Sequence, residues 1–325
     1  MTRATAIGLR ITRRGLAAAV AMGVGLPSAL RADEGDPDVA KVTAEVFAQC
    51  RPAEVVATAG LAETIGIDTP DGRIEGTMVA PQGADPLALV LMLHGYTGAR
   101  DEQRGMFRRA AERLAARGVA SLRIDFIGSG QSDGEWADTR FSTQARDAIR
   151  AVAALRAAYP GQDLPLGMLG FSQGGLVALR AAAAGAPVER LALWNPVMDP
   201  MATYGIIFGR ETILHGAGLA DVGETAVIEG TRLRPAFFVE LAAADPIADA
   251  AATPAEIMVV TGRRDSLVRQ GAALAGRLAA AREAEIGRPT RIVSLDAGHD
   301  LGAIHAPPVL QAVTDCTAGF LLGLR

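Results

Sequence analysis

Uninterrupted apolar runs alternate with stretches of helical spacing along most of the chain. Ile65-Gly66-Ile67, the turn Thr69-Pro70-Asp71-Gly72 and the segment from Ile74 to Val79 predict an opening β-hairpin. Leu87 to Leu93 is apolar throughout, as expected of a strand covered by helices on both faces. Arg104 to Arg117 has helical spacing, with Met106, Phe107, Ala110 and Leu114 on one side and arginines on the other. Strands follow at Val119 to Ile124, Leu164 to Leu169, Leu191 to Trp194, Ile257 to Val260 and Ile292 to Leu295. Helices are expected at Thr143 to Tyr159, Gly174 to Ala184, Ala272 to Arg282 and Val309 to Leu322. This alternation predicts an α/β protein with a mostly parallel, doubly wound sheet and right-handed crossovers.

The stretch Asn195 to Pro254 breaks the rhythm, being too long for a plain crossover, and predicts an inserted helical cap at about 196–253. Its Met198, Met201, Tyr204, Ile206, Ile207, Phe208, Phe237 and Phe238 are expected mostly to pack the cap onto the sheet. The α/β domain is expected over 62–325, preceded by an N-terminal segment at 33–61.

Residues 1–32 read differently. They carry Arg3, Arg10, Arg13, Arg14 and Arg31 with no acidic residue, and a short weakly apolar stretch follows Arg13-Arg14. Basic, then apolar, then small residues is the order of a secretory signal. The paired arginines resemble a twin-arginine export signal, which implies delivery of a folded protein to the periplasm by that export machinery, with cleavage near Ala29 or Ala32. The stretch between Arg14 and Arg31 is too short for a stable membrane span, which needs about 20 residues. Formal net charge is −4 for the whole chain, and without residues 1–32 it becomes −9, from 27 basic and 36 acidic residues. An acidic chain lacking a basic face argues against nucleic-acid binding. Cys50 and Cys316 have no metal-like spacing. Two inert thiols are expected, with a bridge between them as the alternative.

Gly170-Phe171-Ser172-Gln173-Gly174-Gly175 follows an apolar strand and opens a helix, the setting of a Gly-x-Ser-x-Gly nucleophile elbow. Such a turn strains the backbone at Ser172 and aims helix N–H groups at a developing oxyanion. Four histidines are candidates for the base. His94 comes too early in a Ser…Asp…His order, and His215 lies in the cap. His299 directly follows the strand ending at Leu295 and is the expected general base, with His305 as the remaining choice. Asp265, after the strand Ile257 to Val260, is the expected acid that fixes the imidazole tautomer, and Asp199 is its competitor. Asp300 is expected to point elsewhere. The backbone N–H of Tyr96, in His94-Gly95-Tyr96-Thr97-Gly98, is the candidate second oxyanion donor beside that of Gln173.

These segments, together with Arg123-Ile124-Asp125-Phe126-Ile127-Gly128-Ser129-Gly130-Gln131-Ser132-Asp133-Gly134, resemble the α/β-hydrolase superfamily from about Ala62 onward. Within it, the chain is most similar to the serine aminopeptidase-like branch that includes bacterial cinnamoyl and feruloyl esterases. The resemblance implies the α/β-hydrolase fold with a helical cap between strands six and seven. It also implies a triad of Ser172, His299 and Asp265 with oxyanion donors at Tyr96 and Gln173. Ser129 and Phe171 stand where relatives often carry histidine, which would reshape the pocket wall. The expected function is hydrolysis of small or aromatic acyl esters through an acyl-enzyme. An acyltransferase using the same intermediate, a catalytically silent binding protein and a peptidase are the alternatives. No phosphate-binding glycine loop, zinc spacing or flavin signature is present, so neither cofactor nor metal is expected.

Overall fold

A computed structural model describes residues 38–324; the proposed signal segment lies outside them. Eight strands form one sheet: β1 (Gly60–Thr69), β2 (Gly72–Pro81), β3 (Ala88–Leu93), β4 (Val119–Ile124), β5 (Leu166–Phe171), β6 (Arg190–Trp194), β7 (Glu256–Gly262) and β8 (Thr290–Leu295). Their order is β1-β2-β4-β3-β5-β6-β7-β8. β2 runs antiparallel to both of its neighbours, and every pairing from β4 to β8 is parallel.

Helices cover both faces. Leu89, Leu91 and Leu93 of β3 join the core beneath α3 (Phe141–Ala157) and α4 (Gln173–Ala183). Val90 and Met92 join the core beneath α2 (Met106–Ala116) and α10 (Pro307–Leu321). Both faces of the strand are therefore dry, which is why its apolar run is unbroken. Burial of each such side chain stabilises the fold by roughly 1.5–3 kcal/mol. α9 (Gly271–Ile286) completes the α3–α4 side.

Three findings go beyond the sequence reading, and one of them corrects it. First, the segment before the sheet contains a helix, α1 (Val39–Gln49), whose Val42 and Val46 are buried against α10 and β8. Second, the expectation of inert thiols is corrected: Cys50, just past α1, is disulfide-bonded to Cys316 on α10, with Cα atoms 5.7 Å apart. Third, the arginine side of α2 is not simply a wetted face. Arg113 and Arg117, one turn apart, both clamp the buried Asp315 of α10 in bidentate fashion. Arg117 also donates to the Ala53 carbonyl, so the N-terminal segment, α2 and α10 share one polar knot.

The insertion between β6 and β7 folds as four helices: α5 (Pro200–Phe208), α6 (Arg210–Asp221), α7 (Pro235–Ala243) and α8 (Pro246–Ala252). Tyr204, Phe237 and Phe238 are fully buried among aromatic neighbours, so they pack the cap rather than line an open space. The fully buried Arg282 of α9 donates to the carbonyls of Ala250, Thr253 and Ala255, tying the end of α8 to the start of β7. Among the described residues, no helix is long and apolar enough to cross a membrane.

Candidate active site

Ser172 stands between β5 and α4 with φ 53° and ψ −117°, a backbone conformation that non-glycine residues rarely adopt. Its N–H donates to the Trp194 carbonyl of β6 at 2.9 Å, and its C=O accepts from Gly175 and Val197. The close packing depends on two glycines. A Cβ on Gly170 would lie 2.3 Å from the Gly174 carbonyl oxygen, and one on Gly174 would lie 2.0 Å from that of Leu93. Gln173 is the first residue of α4, so its N–H has no earlier helical partner and adds to the positive end of the helix dipole.

Asp265 and His299 meet directly. The imidazole Nδ1 lies 2.7 Å from Asp265 Oδ2, with both side chains largely buried. The other carboxylate oxygen of Asp265 accepts the N–H groups of Leu267 and Val268, each at 2.8 Å. These backbone bonds fix the carboxylate before it acts on the ring. Burial disfavours imidazolium at His299, but the Asp265 charge and hydrogen bond, with weaker help from Glu102 and Asp300, outweigh it and hold the histidine above its ordinary range. The Phe171 ring, one residue from Ser172, lies against His299 with centroids 4.9 Å apart. The elbow and the histidine therefore share one edge of the sheet, without a direct hydrogen bond from Ser172 to the imidazole.

The competing residues are engaged elsewhere. Asp199 caps α5 by accepting the Ala202 N–H, and Asp300 accepts the N–H groups of Gly302 and Ile304. His305 and His215 are exposed. Buried His94 accepts the Phe126 N–H at Nε2, so its proton sits on Nδ1, which donates to the Gly95 carbonyl at 2.9 Å. Burial lowers its pKa and keeps it neutral.

Gly95 lies against the elbow: a Cβ there would be 3.3 Å from the Ser172 Cβ. Among the described residues, neither the Tyr96 nor the Gln173 N–H has an acceptor. The Tyr96 ring packs among Trp136, Tyr204, Phe208 and Phe237 beneath the cap. Tyr204 donates through its hydroxyl to the Gln173 side chain, which in turn donates to Gln144 Oε1 at 2.7 Å. The cap thus touches the elbow residue itself.

Two buried residues near this edge were not singled out by the sequence. Asn195, at the end of β6 with φ 41°, donates to the carbonyls of Gly298 and His299 and accepts the Gly262 N–H. It binds the loops after β7 and β8 together. Glu102 accepts the Gly95 N–H at 2.7 Å. Asn195 opens the stretch read as an insertion, and Glu102 precedes the expected helix; only the position of Asn195 directly after a strand could have pointed to it, and Glu102 gave no such signal. A separate open cleft of about 560 Å³, lined by Glu211, His215, Glu224 and Val227 among others, lies within the cap. Its walls carry none of Ser172, Asp265 or His299.

Sheet order, elbow and cap position define the α/β-hydrolase fold. The family described as serine aminopeptidase, S33, matches residues 84–222. Among solved structures, Est1E from Butyrivibrio proteoclasticus with ferulic acid bound is similar at 23% identity and a TM-score of 0.61, over 77% of this chain and 96% of that one. A Pyrococcus furiosus esterase matches at 19% identity and a TM-score of 0.60, over 84% and 98%. A dienelactone hydrolase from Anabaena variabilis matches at 19% identity and a TM-score of 0.55, over 81% and 98%. None of the curated proteins matches the sequence.

Proposed function

We propose that the protein is a serine hydrolase that cleaves carboxylic esters through an acyl-enzyme. The observation that carries this reading is the Asp265–His299 hydrogen bond on the same sheet edge as the strained Ser172. In this scheme His299, held by Asp265 in the tautomer with its Nδ1 protonated, takes the Ser172 proton at Nε2 as Oγ attacks the acyl carbonyl. The oxyanion rests on the N–H groups of Tyr96 and Gln173. The imidazolium returns the proton to the departing alkoxide, and a water molecule repeats the attack to release the acid. Esters are favoured over amides because an alkoxide is the better leaving group.

Est1E, titled as a ferulic acid complex, supports including aromatic acyl esters in the substrate range. A screen of p-nitrophenyl esters by chain length, beside methyl ferulate, tests the reading. Turnover of at least one ester together with fluorophosphonate labelling of Ser172 is expected; failure of both would overturn it.

We further propose periplasmic export through the twin-arginine route. The Cys50–Cys316 bridge supports an oxidising destination. Replacing Arg13 and Arg14 by Lys should trap the precursor in the cytoplasm, and unchanged export would refute the route.

A further inference from the structure

Glu102 is a buried carboxylate with no ion-pair partner among the described residues. Its backbone sits at φ 55° and ψ 179°, a conformation that non-glycine residues rarely adopt and that persists only where the surroundings enforce it. Oε2 accepts the Gly95 N–H at 2.7 Å, and Oε1 accepts the Gln103 N–H at 3.2 Å. Gly98 is packed so closely that a Cβ there would lie 2.9 Å from Oε2.

The peptide beyond Gly95 is pinned as well. The Gly95 carbonyl accepts from His94 Nδ1 at 2.9 Å and from the Gly98 N–H at 3.1 Å. The peptide is trans, so the Tyr96 N–H points opposite to that carbonyl. Fixing both peptides around Gly95 therefore fixes the direction of the Tyr96 N–H.

The charged groups nearby are committed elsewhere. Arg100 is engaged by Asp125, Arg123 by Asp101, and Arg109 by the Ala303 carbonyl. Asp265 is committed to His299, and Asp300 to its own loop. Burial pushes the Glu102 carboxyl up to about 7, against the two N–H bonds and the attraction of His299, which favour its ionised form.

We propose that Glu102 is a positioning residue: its carboxylate holds the Gly95 peptide so that the Tyr96 N–H faces the oxyanion position. The inference rests on the serine-hydrolase reading, and its test separates the two. A fluorophosphonate probe reports the rate at which Ser172 forms a P–O bond while fluoride leaves and the serine proton passes to His299, whatever the natural substrate. Rates are measured from mildly acid to mildly alkaline pH for the wild type, Glu102→Asp and Glu102→Gln, with thermal melting as the check on folding.

Glu102→Asp keeps the charge but shortens the reach to Gly95. Its labelling rate should fall roughly 10–100-fold, less than the roughly 100–1000-fold for outright loss of an oxyanion donor, with little change in the acid-limb midpoint. Glu102→Gln can still accept the Gly95 N–H. It should stay within about threefold of wild type across the pH range, so the neutral acceptor restores what the shortened carboxylate loses. Wild-type rates in both variants would overturn the inference and leave the hydrolase reading standing. An unlabelled wild type would overturn the reading, and this inference with it. Should a variant fail to fold, amide hydrogen exchange in the wild type decides: a protected Gly95 N–H supports the anchor, and exchange at the rate of an unbonded amide overturns it.

Discussion

The sheet edge and the cap are held by different forces. At the sheet edge each candidate catalytic residue is fixed by hydrogen bonds to or from the main chain: Asp265 by the Leu267 and Val268 N–H, the His299 loop by Asn195, and Ser172 by Trp194. In the cap, Tyr204, Phe208, Phe237 and Phe238 are held largely by one another, with ring centroids 5.5–5.9 Å apart. Polar ties to the body lie at the cap's margins: Tyr204 to Gln173, Glu240 to the N-terminus of α3 at Ser142, Arg234 to Asp138, and the Arg282 bonds to the end of α8. Hydrogen bonds fix direction, whereas aromatic packing fixes volume and tolerates repacking. Chemistry belongs at the first kind of site and substrate fit at the second.

Breaking the sheet edge should have the largest effect. Ser172→Ala should lower kcat for an ester by roughly 10⁶ with an unchanged melting curve. A variant retaining a tenth of wild-type turnover would exclude Ser172 as the nucleophile. Asp265→Asn should cost on the order of 10⁴ in rate, because the amide no longer favours the working tautomer. Since Asp265 raises the pKa of His299, and the base must be neutral to act, the acid limb of kcat/KM should move to lower pH in this variant. Asp199→Asn should leave both quantities near wild type; the reverse pattern would move the acid to the end of β6.

Loosening the joint between the two regions should cost less. Tyr204→Phe leaves the buried Gln173 carbonyl without its donor, a loss of about 1–3 kcal/mol in unfolding free energy. It should change kcat for a short ester less than about tenfold while altering the preference among acyl chains. A loss as large as that of Asp265→Asn would show that the cap does more than shape the pocket. The smallest effect on activity is expected from Cys50→Ala with Cys316→Ala. Stability should drop by about 2–5 kcal/mol in denaturant titrations while kcat is unaffected.

The same contrast explains what could be read in advance. Parallel strands buried on both faces announce themselves as apolar runs, and catalytic candidates fall just after them, so the sheet and the Asp265–His299 pairing were legible. Boundaries shifted where polar bonds intervene: β5 begins at Leu166 rather than Leu164, and α4 begins at Gln173, on the strained Ser172. The cap helices are apolar over Pro200–Phe208 and Pro235–Ala243 apart from Thr203 and Glu240, so no periodicity separated them. Asn195 and Glu102 act through main-chain partners whose proximity only the folded chain creates. Asp315 likewise gives no sign that Arg113 and Arg117, about 200 positions earlier, are its partners.

The docking of α1 on β8 and α10 bears on the order of assembly. Elements made first in synthesis rest on elements made last, so α1 has no surface to occupy until nearly every other residue has emerged. A chain cut short before Cys316 could fold much of its sheet yet never close this seam. The Cys50–Cys316 bond, spanning 266 positions, is in that sense a mark of progress: only molecules synthesised past Cys316 can carry it.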